Sequence, residues 1–125
     1  MRHVAATLGF LVLLAPTSGG AHHSFDAQFD AKKPIMLTGS LTKLEWTNPH
    51  IYLYLDVTEA AGQLANWAIE LENPTQLMRL GWTRHTLKVG DVITIDGSLA
   101  RDGSKLVNAR TVLLDGKKLF AGRRQ

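Results

Sequence analysis

A strict alternation of apolar and polar residues in the middle of the chain constrains its fold more than any other feature. The apolar side chains occupy every second position: Ile51, Leu53, Leu55 and Val57. Tyr52, Tyr54 and Asp56 lie between them. Because successive side chains of a β-strand point to opposite faces, this pattern predicts a strand with one buried face.

Two further strands flank this one in the sequence. Before it, the apolar residues from Ile35 to Trp46 change from odd to even positions, which predicts a β-bulge in one long strand. After it, residues 64–72 place Trp67, Ile69 and Leu71 on the inner face. Glu70 and Glu72 then share the outer face, and we expect solvated carboxylates there rather than an acid/base pair for glycoside hydrolysis.

A short helix with clear end signals follows the third strand. Asn73 is a suitable N-cap, Pro74 occupies the first helical position, and Gln76 lies where a capping box needs it. Gly81 provides the left-handed residue that ends the helix.

The last strands complete a recognisable order. A fourth strand carries Ile93 and Ile95, a turn follows at 101–104, and a fifth strand runs from Leu106 to Leu114. The order β-β-β-α-β-β predicts a five-stranded OB-like barrel, an all-β fold with one helix. The alternative is a small open β-sandwich. The expected core comprises Ile51, Leu53, Leu55, Trp67, Ile69, Ile93 and Ile95.

The N-terminus has the three regions of an export signal, and the predicted signal ends just before two histidines, His22 and His23. A basic start at Arg2 and an apolar run from Val4 to Leu14 precede small residues that end at Ala21. That run is far shorter than the ~20 residues that span a bilayer, so no membrane span is expected after cleavage. The predicted divisions are a signal peptide at 1–21, an N-terminal arm at 22–34, the barrel domain at 35–121 and a basic tail at 122–125. The mature protein is expected in the periplasm or outside the cell.

Composition excludes several functional classes. The chain has no cysteine, so disulfides and thiolate chemistry are absent. A net charge of +3 is too small to indicate a nucleic-acid partner, and none is expected. The sequence also lacks a nucleophile elbow, a phosphate-binding loop and a dinucleotide fingerprint. These absences favour a non-catalytic protein.

The predicted cleavage site places His22 and His23 at the mature N-terminus, and this suggests a metal site. The α-amine and the ring of a first-residue histidine can chelate Cu(II), and His50 is the natural third ligand. Cleavage one residue earlier would instead begin the chain at Ala21 and put His23 at position three, where the amine, two backbone nitrogens and the imidazole can form a square-planar site for Cu(II) or Ni(II). The alternative is a polar arm that binds no metal.

A second candidate site is an outer face that carries aromatic and polar side chains: Trp46, Asn48, Tyr52 and Tyr54. Such a face would suit a peptide, glycan or other envelope ligand, with the histidines as polar contacts only. His85 lies among polar neighbours and is assigned no role.

Several segments of the chain resemble one known family. They are 21–25, 37–39, 45–50, 66–67, 81–82 and 115–122, including the sequence Glu-Trp-Thr-Asn-Pro-His. These segments are similar to the short exported bacterial proteins catalogued as domain of unknown function 6152. The resemblance covers essentially the whole mature chain. It implies an exported single-domain protein and brings no established activity with it.

The signal prediction is testable at the protein's own N-terminus. Protein purified from the exporting host should begin at His22, with Ala21 as the second choice, because signal peptidase cleaves after small residues. N-terminal sequencing or intact mass measures this directly. Correctly localised protein that retains Met1 would contradict both the signal peptide and the N-terminal chelate.

Overall fold

The computed structural model of the chain describes residues 20–122, with side chains for all of these except 20–23 and 121. Six strands and two short helices form one domain, and all but one of the strand pairings are antiparallel. In chain order the elements are α1 (Gly20–Gln28), β1 (Phe29–Glu45), β2 (Tyr52–Thr58), β3 (Leu64–Glu70), α2 (Pro74–Arg79), β4 (Val92–Ala100), β5 (Leu106–Leu114) and β6 (Lys117–Ala121).

The strands form a closed OB-like barrel, as the sequence predicts. The strand order is β3-β2-β1-β4-β5-β6, and a parallel pairing of β3 with β5 closes the ring. The long strand β1 pairs with β4 along its first part and with β2 along its last part. Its predicted bulge is confirmed, since the pairing with β2 shifts between Leu41 and Lys43.

Close approach of strands explains one glycine in β1. A Cβ built on Gly39 would lie 2.5 Å from the backbone oxygen of Asp56 on β2. No real side chain tolerates that distance, so only glycine lets β1 bend against β2 at this point.

The helix α2 forms as predicted. Asn73 is the N-cap, and its side-chain oxygen accepts a hydrogen bond of 2.9 Å from the backbone amide of Gln76. Gly81 has a positive φ of 89°, which provides the left-handed stop. The helix follows β3 in the chain and buries Leu77 in the core.

The predicted core is confirmed with one change. Ile51, Leu53, Leu55, Ile69, Ile93 and Ile95 are buried in one cluster. Trp67 packs against the edge of that cluster and is only partly buried. The ammonium of Lys105 lies 5.2 Å from the centre of the Trp67 indole ring, so the ring forms part of a surface contact as well.

A sixth strand adds to the five predicted from the sequence. Strand β6 pairs with the end of β5 after a tight turn at Asp115 and Gly116, both of which have a positive φ. The indole of Trp82 donates a hydrogen bond of 2.8 Å to the carbonyl oxygen of Leu119. This bond and the buried ring of Phe120 hold β6 against the barrel.

The predicted arm, 22–34, divides between the end of α1 and the start of β1. The Phe25 and Phe29 rings lie 5.5 Å apart. Arg101, in the turn between β4 and β5, donates its backbone amide to the carbonyl of Gln28 at 2.9 Å and its Nε to the carbonyl of Asp26 at 2.7 Å. These bonds attach the end of α1 to the β4–β5 turn.

Within residues 20–122, neither helix has the length and the apolar character that a membrane span requires. The predicted signal peptide lies almost entirely outside the described residues.

A pair of leucine substitutions tests the barrel core. Leu53 is 0% exposed and Leu64 is 70% exposed, although both lie in strands. Leu53→Ala should lower the free energy of unfolding by about 2–5 kcal/mol, because it removes packed methyl groups and leaves a cavity. Leu64→Ala should cost less than about 1 kcal/mol. Urea unfolding measures both, and equal losses would contradict this core.

Candidate functional site

The outer face of the barrel carries a row of polar side chains that crosses four strands. Glu45 on β1 pairs with Tyr52 on β2, Tyr52 pairs with Glu70 on β3, and Glu70 pairs with Asn108 on β5. We call these four residues the polar row. The loop between β1 and β2, residues 46–51, brings His50 to the same place.

Glu70 is the centre of this arrangement and is only 5% exposed. Its Oε2 accepts a hydrogen bond of 2.7 Å from the hydroxyl of Tyr52. Its Oε1 accepts one of 3.2 Å from the Asn108 amide and lies 3.3 Å from Nδ1 of His50. A buried carboxylate needs such partners, since an unpaired one would lose its hydration without compensation.

The expectation that Glu70 faces solvent is therefore wrong. Strand alternation correctly places Glu70 on the outer side of β3, but it does not predict whether other side chains cover that position. The parallel pairing with β5 then sets Asn108 beside it, while Tyr52 and His50 contact it from β2 and the loop. Polar side chains rather than water cover the carboxylate. Glu72, the other predicted outer carboxylate, is half-buried.

The two tyrosines of the chain both donate to carboxylates on this face. Tyr52 bonds to Glu70, and the Tyr54 hydroxyl donates a hydrogen bond of 3.0 Å to Glu45. Burial raises the pKa of Tyr52, and the bond to Glu70 raises it further. Burial likewise raises the pKa of Tyr54, with the bond to Glu45 as the next cause. Both phenols thus remain neutral hydrogen-bond donors at physiological pH.

Glu45 forms a second, more exposed cluster beside the first. The Lys43 ammonium donates a 2.5 Å hydrogen bond to Glu45 and lies 5.2 Å from the centre of the Tyr54 ring. The bond from Lys43 and then the bond from Tyr54 hold the pKa of Glu45 below its usual range. Lys43 is therefore paired with a carboxylate, although its side chain is 61% exposed.

The predicted ligand face is only partly at the surface. Asn48 is exposed, and Tyr52 and Tyr54 are half-buried on the outer face. Trp46, predicted for the same face, is instead 8% exposed and belongs to the hydrophobic core. Its indole turns inward because the change of side at the β1 bulge puts position 46 on the inner face.

The predicted metal ligands are described only in part. The ring of His50 is 41% exposed and lies beside Glu70, at the end of a loop that contains a cis peptide between Asn48 and Pro49. The side chains of His22 and His23 lie outside the described residues. Among the side chains that are described, no group of three or more His, Asp or Glu could hold a metal ion.

Sequence reasoning did not identify Glu70 and Asn108 as site residues. Both lie at outward positions of amphipathic strands, where a polar residue is ordinary. The local signal is the pair of tyrosines at positions 52 and 54, which places two aromatic rings among the polar side chains of this face.

Comparison with known proteins identifies the family and the fold. A model of the family described as "Family of unknown function (DUF6152)" matches residues 11–108. No curated protein sequence matches the chain.

Two solved structures are similar to the chain. The mitochondrial single-stranded DNA binding protein Rim1 from S. cerevisiae superposes with a TM-score of 0.51 and 12% identity, over 66% of this chain and 93% of that one. The N-terminal domain of PriB from Thermoanaerobacter tencongensis superposes with a TM-score of 0.48 and 18% identity, over 66% of this chain and 96% of that one. At such low identity, the likeness to Rim1 supports the OB-like fold alone.

Paired tyrosine substitutions test the buried cluster. Tyr52→Phe should lower the free energy of unfolding by about 1–3 kcal/mol, because buried Glu70 loses its shortest hydrogen bond. Tyr54→Phe is the matched control. It should cost clearly less, since Glu45 is more exposed and water can replace the lost donor. Urea unfolding at pH 7 compares the two, and a larger loss for Tyr54→Phe would contradict the central place of Glu70.

Proposed function

Since the chain belongs to the family of unknown function DUF6152, we propose that it is an exported OB-like binding domain whose ligand is a metal ion. Copper is the first candidate. The ligands are His50, in the β1–β2 loop, and the mature N-terminal histidines, His22 and His23.

The observation that carries this proposal is the position of the His50 ring. One ring nitrogen lies 3.3 Å from the buried carboxylate of Glu70, while the side chain as a whole is 41% exposed. Histidines that bind metals commonly hold a carboxylate or carbonyl with one nitrogen and the metal with the other. His50 has this environment. His85, which is exposed in a turn, has no carboxylate partner among the contacts of the described residues.

The charge of the surrounding face also favours a cation. Glu45, Asp56 and Glu70 all lie on the outer side of β1, β2 and β3. Lys43 is the nearby cation, and it is already bonded to Glu45.

The same charges oppose a nucleic-acid ligand, although the name of Rim1 raises that possibility. Proteins that bind single strands line their groove with basic side chains that neutralise phosphates. Three carboxylates around the two tyrosines would repel a phosphate backbone. We therefore propose no nucleic-acid binding for this face.

The N-terminus supplies the remaining nitrogen ligands in this proposal. A chain that begins at His22 presents an α-amine and an imidazole that chelate one metal ion together. Nitrogen ligands of this kind suit Cu(II), which has the highest affinity of the first-row divalent ions for such sites. A third imidazole from His50 would join the N-terminus to the barrel through the metal.

Competitive Cu(II) titration of the mature protein tests the proposal. The wild type should bind one ion with nitrogen-dominated coordination. His50→Ala should weaken binding tenfold or more, which corresponds to about 1.4 kcal/mol per decade, because it removes one imidazole. One residue added ahead of His22 should have a similar effect, because it displaces the α-amine from the chelate.

His85→Ala is the matched control, since it removes an exposed histidine and should leave the affinity unchanged. If His50→Ala binds Cu(II) as the wild type does, the N-terminus holds the ion alone and the loop has no part in the site.

If the mature wild type does not bind Cu(II), the second candidate is an envelope module for a peptide or glycan. OB barrels use the face of their second and third strands for ligands that include oligosaccharides. Tyr52 and Tyr54 lie on the outer face of β2 and would supply two half-buried aromatic rings, while exposed Asn48 in the preceding loop would supply a polar amide.

A further inference from the structure

We infer that Glu70 is a positioning residue, which keeps the hydrogen of His50 on Nδ1 and so leaves Nε2 as the nitrogen that binds the ligand. This inference rests on the proposed metal site and names the atom that the barrel contributes to it.

The chemistry of the Glu70–His50 pair determines which ring nitrogen carries the hydrogen. An ionised carboxylate only accepts hydrogen bonds, and a neutral imidazole carries its hydrogen on one nitrogen or the other. Nδ1 of His50 lies 3.3 Å from Oε1 of Glu70. A hydrogen on Nδ1 places a positive dipole end beside the carboxylate, which is electrostatically favourable, whereas a bare Nδ1 would set a lone pair against it. The pair therefore selects the tautomer with hydrogen on Nδ1, and Nε2 keeps its lone pair for a metal.

The carboxylate of Glu70 is held in place by side chains from two other strands. Its carboxylate accepts from Tyr52 on β2 and from Asn108 on β5, while its own backbone belongs to β3. Three strands of the closed barrel thus fix both oxygens. A carboxylate held in this way presents a fixed negative charge to the His50 ring beside it, and Glu70 itself is only 5% exposed.

The side chain of His50 is 41% exposed, whereas that of Glu70 is buried. Glu70 is buried, so a ligand would contact the exposed part of the His50 ring and not the carboxylate. Glu70 acts on the ligand only through His50. For this reason it is a positioning residue and not a metal ligand.

Nitrogen-15 NMR of the metal-free protein at pH 8 measures the tautomer directly, with His50 assigned by comparison with His50→Ala. The expected spectrum shows a protonated Nδ1 and an unprotonated Nε2 at His50. His85 is the internal control, and it should show the mixture of an unconstrained, exposed ring. A His50 ring with its hydrogen on Nε2 would overturn the inference, whatever the affinity for copper.

Two substitutions of nearly equal size separate positioning from packing. Glu70→Leu removes the acceptor, and the hydrogen of His50 should move to Nε2. Cu(II) affinity should then fall by about 10–100-fold, as is typical when the partner of a metal-binding histidine is removed. Glu70→Gln keeps one acceptor oxygen, so it should preserve the tautomer and most of the affinity. Equal affinity of Glu70→Leu and the wild type would overturn the inference.

The outcomes also separate this inference from the proposed function. A His50 ring protonated at Nδ1 in a protein that binds no Cu(II) would remove the metal site and support the orienting role of Glu70. Copper binding through His50 in a protein whose metal-free His50 carries its hydrogen on Nε2 would support the metal site and overturn the positioning role of Glu70. The wild-type spectrum requires no substitution, so the test holds even if Glu70→Leu fails to fold.

Discussion

The parallel pairing of β3 with β5 is the contact on which the rest of the molecule depends. It joins Ala68 to Leu106, Ile69 to Val107 and Glu70 to Asn108, and these pairs close the sheet into a barrel. Closure pairs the outer edge of β3 with β5 and surrounds the core, which contains Ile69 and Val107. It also sets an amide beside a carboxylate that would otherwise lie on an open strand. The core and the polar row therefore have one structural origin.

A buried carboxylate with polar partners makes the face of β2 and β3 chemically distinctive. Glu70 draws one hydrogen bond from a neighbouring strand on each side and has an imidazole beside it. Such a group is stable only while its partners remain, because an unpaired buried charge costs several kcal/mol. The barrel framework that buries Glu70 thus holds Tyr52, Asn108 and His50 in a defined arrangement. A loop histidine acquires a fixed environment from strands that are remote in the sequence.

The fold by itself does not assign a ligand to this face. Rim1 shares the barrel at 12% identity, and its name describes a single-stranded DNA binding protein. Here the corresponding strands carry carboxylates, tyrosines and a paired lysine. Function in such barrels depends on the side chains placed on a common framework. The chemistry of these side chains, rather than the likeness of the backbone, leads to the proposal of a cationic ligand.

Local patterns of the sequence determined the strands, the bulge of β1 and the capped helix after Asn73, because alternation and capping depend on near neighbours. They predicted the element order of an OB-like barrel but left an open sandwich as the alternative, because closure depends on the pairing of β3 with the distant β5. They did not determine the burial of Glu70 or the sixth strand. Those features depend on contacts between residues far apart in the chain, such as Glu70 with Asn108 and Trp82 with Leu119. Only the closed tertiary structure brings such residues together, and a period-two pattern carries no information about what covers an outward side chain.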